Sequence, residues 1–192
     1  MPDFQTSPAT PPAPLTISSA TSRRARIGRV LLVIVAAVTV VLPVLLDGVV
    51  LGGAHMQNPA WLPHAKLHAA ISLLAAIALG GGALVCLLAR PVTDRFTMAM
   101  GGYLASAFWI ALIAAGCWPG TSYYFAGDPV YAPGIDDARS LGVPNNVATA
   151  LLMLAAVIVG LLLVLGPGSR RERHHGDDHG DQPGYSSCDP AR

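Results

Sequence analysis

The chain has 192 residues, of which 53% are hydrophobic and 12% charged, with a formal net charge of +1 and a mean hydropathy of +0.52. Soluble domains carry about a quarter charged residues, so a composition this apolar points to lipid rather than water as the solvent. The formal net charge of +1 suggests no nucleic-acid partner.

From the N-terminus, residues 1–22 are rich in Pro, Ser, Thr and Ala and show no apolar periodicity. Such a segment buries too little surface to offset its ordering entropy. A disordered N-terminal tail is therefore expected over 1–26, ending among Arg23, Arg24 and Arg26. Val30 to Leu46 then runs seventeen residues without a charge. At about 1.5 Å rise per residue, roughly twenty residues cross a hydrocarbon core of about 30 Å. A first span over 27–50 fits, with Asp47 near its far end and Pro43 kinking it or ending its regular hydrogen bonding. The competing expectation is a cleavable leader, with Gly52 and Ala54 as the small residues before the cut. The long leading region and the length of the apolar run favour a retained span.

The second span is expected over 64–88, stopping at Arg90-Pro91, and the third over 97–118 behind a cap at Thr93 or Asp94. The fourth is expected over 147–165, opened by Pro144-Asn145-Asn146 and broken by Gly166-Pro167-Gly168. A charged tail without apolar pattern follows over 169–192 and reads as disordered. The fold class expected is all-α: an integral membrane four-helix bundle occupying 27–168, with disordered tails at both ends. Gly80-Gly81-Gly82 and Gly101-Gly102 lie inside apolar helices, where small residues let helices approach closely.

Arginine supplies eleven of the twelve basic residues. Four flank the first span, two sit in the turn between the second and third, and Arg170, Arg171 and Arg173 follow the fourth; the opposite side holds Lys66 and Arg139. The positive-inside rule then places both termini in the cytoplasm of a multi-pass cell-membrane protein. Trp61, Trp118, Tyr123, Tyr124 and Tyr131 gather at the other, external side, as an interfacial aromatic belt does. The same topology sets Cys86 and Cys117 near opposite faces. With Cys188 they make an odd count without CxxC spacing, so they read as packing residues and a tail thiol.

Chemistry concentrates in two histidine groups. His174, His175 and His179 lie in the tail among Asp177, Asp178 and Asp181 and read as a solvated segment. His55, His64 and His68 bracket the first external loop. His64 and His68 are four apart at the start of the second span and share one helix face, a spacing suited to one metal or to an acid and a base on one substrate. Asp47 reaches the same depth from the first span and needs a partner, for which Lys66, His68 and His55 are nearest. Asn58-Pro59 and Leu62-Pro63 stiffen the loop. The candidate catalytic residues are His64, His68, Asp47 and His55, and the candidate substrate contacts Asn58, Trp61 and Lys66. A catalytic centre predicts that Asp47, His64 and His68 converge. A metal centre, the alternative use of His55, His64, His68 and Asp47, predicts at least three of them around one point. A structural hydrogen-bond network with Trp61 as interfacial anchor is the plain alternative to both. The long third loop, with Asp128, Asp136 and Asp137, is a candidate lid over the first.

The run His55-Met56-Gln57-Asn58-Pro59-Ala60-Trp61-Leu62-Pro63-His64-Ala65-Lys66-Leu67-His68, preceded by Asp47, resembles a segment of a family of small four-span membrane proteins of unknown function in bacteria and fungi. The shared pattern is H-x-x-N-P-x-W-P-P-H-A-K/R-x-H, from which Leu62 departs at the first proline. Members are sometimes labelled acetyltransferases. The resemblance implies a shared architecture and polar loop. Two functions stay open: a membrane enzyme acting on a lipid or isoprenoid-like substrate, or a non-enzymatic membrane component binding a small ligand, metal or protein partner. The sequence names no cofactor and sets no oligomeric state.

Overall fold

The computed structural model describes residues 19–123, 139–140 and 142–166. Four helices carry it: α1 (Ser19–Pro43), α2 (Pro63–Ala89), α3 (Arg95–Ala115) and α4 (Asn145–Leu165). Each is long and apolar enough to cross a membrane, the first span continuing through a π-helical turn at Val44–Val50. The chain is a multi-pass membrane protein of the all-α class. Strands β1 (Arg139–Ser140) and β2 (Val143–Pro144) form a two-residue antiparallel ladder just before α4.

Helix α1 begins at Ser19, ahead of the expected boundary at Ile27. Ala20, Arg23, Arg24, Ala25 and Arg26 are good helix formers, and nothing obliges the helix to stop where the apolar run does. Pro43 acts as expected. It has no N–H to give to the residue four back, and beyond it the winding loosens to a π-helix, closed by Leu51 N–H donating to Leu46 O at 2.6 Å. Asp94 is the α3 N-cap. Its carboxylate accepts from Thr97 N–H at 3.1 Å and from the Thr97 hydroxyl at 2.8 Å. These bonds, the backbone one foremost, hold the Asp94 carboxyl below its ordinary range. The α4 cap differs from expectation: the N-cap position is Pro144, which makes no side-chain capping bond. The proline already sets a helix-ready φ.

The helices pack as an antiparallel ring in which α1 touches α2 and α4, and α3 touches the same two. Lipid tails are as apolar as leucine, so no hydrophobic force drives these helices together and close packing has to do so. The interior accordingly uses small residues. Ala76, Gly80 and Ala83 line α2, while Gly101, Gly102 and Ala105 line α3. Each neighbouring pair meets at a glycine. Gly28 lies on Gly160 between α1 and α4, and Gly80 on Ala36 and Val40 between α1 and α2. Gly101 lies on Leu87 between α2 and α3, and Gly102 on Leu161 between α3 and α4. Large aliphatic side chains such as Leu74, Val85 and Leu162 point outward.

Among the described residues a polar contact crosses this interior. Trp109 Nε1–H donates to the Thr39 hydroxyl at 2.9 Å, which donates to Val35 O at 2.9 Å, with both side chains buried. At one end of the bundle arginines close the helix C-termini: Arg29 donates to Leu88 O at 3.1 Å, and Arg95 to Leu165 O. Cationic groups there satisfy carbonyls that have no helical partner and complement the helix dipole. The histidine-bearing loop occupies the opposite end. Residues 1–18 and 167–192, with His174, His175 and His179, lie outside the described residues, as do Asp128, Asp136 and Asp137 of the third loop.

Candidate functional site

Asp47 lies on the π-helical turn, and the chain then coils through a compact loop. Ala54 N and His55 N both donate to Leu51 O, Gln57 N donates to Gly52 O, and Asn58 N to His55 O. These turns bring His55 back over the π-helical segment. Its Nδ1 lies 3.2 Å from Leu51 O and 3.9 Å from Asp47 Oδ1. The carbonyl can only accept, so Nδ1 carries the hydrogen and points it at Leu51, with the Asp47 carboxylate as a longer-range electrostatic partner. The Trp61 ring meets His55 edge-on, with centroids 5.9 Å apart and planes at 89°.

Asn58 is fully buried beneath this arrangement. Its Oδ1 accepts from Ala60 N–H at 2.9 Å and its Nδ2 donates to Ala54 O at 3.4 Å, while its own carbonyl accepts from Trp61 N–H. The side chain that reads as a turn former in the sequence does that work here. As a candidate substrate contact it is placed inside the loop, engaged with the loop's backbone.

His64 and His68 occupy the first two turns of α2, behind Pro63 at the N1 position. Both are exposed, their Nε2 atoms are 3.1 Å apart, and the rings are perpendicular with centroids at 4.6 Å. The contact requires one ring to donate an N–H and the other to accept with a bare nitrogen. It therefore holds one proton between two bases. Protonating both rings would point two N–H groups at one another and remove the bond. Exposed Leu67 and Ile71 stand beside the pair on the outer surface of α2.

The sequence-predicted residues thus assemble as two pairs, Asp47 with His55 and His64 with His68. Among the described residues Asp47 pairs with His55 and makes no hydrogen bond or ion pair with His64, Lys66 or His68. The loop folds His55 back on the turn that carries Asp47, and this contact between neighbours in sequence takes the carboxylate first. Lys66 is half-buried in the first turn of α2, its N–H donating to Leu62 O. Among the described residues no group of three His, Cys, Asp or Glu side chains gathers at a point that could hold a metal ion.

Two features escaped the sequence reading. Ser72 lies one further turn along α2 from His68, exposed, with its hydroxyl donating to Ala69 O at 2.7 Å. Its i+4 spacing from His68 was the available signal. The Thr39–Trp109 bond was signalled only by a hydroxyl and an indole in otherwise apolar spans. No family model, curated protein or solved structure matches this chain.

Proposed function

We propose that the chain is a cell-membrane protein with both termini in the cytoplasm, and that the His64–His68 pair, at the external face, exchanges a proton with a lipid-like substrate reaching it along α2. The observation carrying this reading is the 3.1 Å contact between two exposed imidazole nitrogens at the end of a membrane-spanning helix. One ring nitrogen donates within the pair and leaves the other ring as a base; that base takes a proton from the substrate, and the imidazolium so formed gives a proton back, the two halves of general acid–base chemistry. Exposed Leu67 and Ile71 supply an apolar approach for an acyl or isoprenoid chain. Asp47, His55, Asn58 and Trp61 support the loop beside the pair rather than touching the reacting atoms. The orientation rests on the arginines at the opposite end.

The test is lipid mass spectrometry of a deletion strain beside strains carrying His64→Ala or His68→Ala. The same lipid should accumulate or disappear in all three. An unchanged profile in the deletion strain refutes the enzymatic reading.

A second reading, a non-enzymatic membrane component that binds a small ligand or a protein partner, is favoured by the way Asp47, His55, Asn58 and Trp61 are engaged within their own loop. The resemblance of this loop to that of the four-span family of unknown function is compatible with either reading.

A further inference from the structure

We propose that His64 and His68 form a two-imidazole clamp for a divalent transition-metal ion, independent of Asp47 and His55. The Nε2 atoms are 3.1 Å apart and both side chains are exposed. Metal–imidazole bonds of about 2.0–2.1 Å place two cis nitrogens about 2.9 Å apart at a right angle and about 3.4 Å apart at the tetrahedral angle. The observed spacing falls between these values, so the two nitrogens already have the separation an ion needs, and each ring turns about its side-chain bonds to aim its lone pair at it.

The clamp stands on the first turns of a continuous helix behind Pro63, so the backbone between its two ligands is rigid. Lys66 follows His64 by two residues and projects from the opposite side of the helix, which keeps its charge off the clamp face. The neutral pair needs no net proton loss to bind. The donor ring moves its hydrogen from Nε2 to Nδ1, leaving two Nε2 lone pairs for the metal. Among the described residues no third side-chain ligand joins, and water completes the coordination. Affinity then follows the usual order for nitrogen sites, with Cu2+ above Ni2+ and Zn2+.

This goes beyond the acid–base reading, because binding needs no lipid substrate. Both readings use the same lone pairs, so a bound ion blocks proton exchange. The experiment titrates Cu2+ into the purified full-length chain in detergent micelles, with His174, His175 and His179 replaced by alanine so that tail imidazoles do not contribute. Electron paramagnetic resonance should show one Cu2+ per chain coupled to two imidazole nitrogens. Loss of a mere outer-shell partner costs about 10–100-fold in metal affinity, so His64→Ala or His68→Ala should weaken binding by at least about tenfold and leave one coupled nitrogen. His55→Ala should leave affinity within about twofold, since an uninvolved side chain adds nothing to the metal's ligand set. Unchanged affinity in His64→Ala and His68→Ala, or an equal loss in His55→Ala, overturns the clamp. Copper bound as described alongside an unchanged lipid profile in the deletion strain keeps the clamp and removes the acid–base reading. The opposite pair of results does the reverse.

Discussion

Adjacent glycines on α2 should respond differently to the same substitution. A Cβ at Gly80 would lie 2.7 Å from Val40 Cγ2, 2.8 Å from Ala36 O and 3.0 Å from Val40 N. Favourable contacts lie at about 3.5–4.0 Å. Two of the three atoms are α1 backbone and cannot rotate away, so relief requires α1 and α2 to separate by several tenths of an ångström. Overpacking of this kind costs about 1–3 kcal/mol. At about 2–4 °C per kcal/mol for a chain of this length, Gly80→Ala should lower the unfolding midpoint by about 2–12 °C. A Cβ at Gly81 meets nothing within 4 Å. Gly81→Ala keeps the helix packing and gains helix propensity of up to about 1 kcal/mol, so its midpoint should stay level or rise. The assay is thermal unfolding of each purified variant in detergent micelles, followed by the helical circular dichroism signal. Equal shifts for the two variants, or a Gly80→Ala midpoint matching the parent, would refute the close-packing account of the α1–α2 interface.

Three further outcomes are expected. In a double-mutant cycle of Thr39→Val and Trp109→Phe, the hydroxyl–indole bond should appear as a coupling of about 0.6 kcal/mol, the average for hydrogen bonds between membrane helices, and no more than about 1.7 kcal/mol; zero coupling would show that the contact contributes nothing. Asn58→Ala should destabilise the chain by about 1–3 kcal/mol, because buried loop groups lose their partner, and protease cleavage between residues 51 and 62 should accelerate; a variant with normal stability would return Asn58 to the candidate ligand contacts. Asp94 has a folded-state pKa below its unfolded value, so its capping contribution is present above the ordinary aspartate pKa of about 3.9 and is lost as pH falls through the lower, folded value. Asp94→Ala should therefore lower the midpoint at neutral pH, and the gap to the parent should close below about pH 3.9; a gap independent of acid pH would contradict this.

The topology was legible because a bilayer imposes a length and a polarity on any helix that crosses it. Four uncharged runs bounded by Arg90-Pro91, by Pro119 and by Gly166-Pro167 leave few alternatives, and Pro43 announced the change of winding by its missing N–H. Asn58-Pro59 likewise announced a turn held by its own side chain, because that interaction is local. The spacing of His64 and His68 placed them together for the same reason, since both belong to one helix. Which partner Asp47 would take depended on distances between separate segments. Lys66, His68 and His55 were equal candidates until the loop turned His55 back over the π-helical segment. The pairing of Thr39 with Trp109, seventy residues apart, and the selection of Gly28, Gly80, Gly101, Gly102 and Gly160 as contact points while Gly81 faces outward were decided in the same way. In an apolar helix every face looks alike in the sequence, and only the packed bundle determines which one meets another helix and which meets lipid.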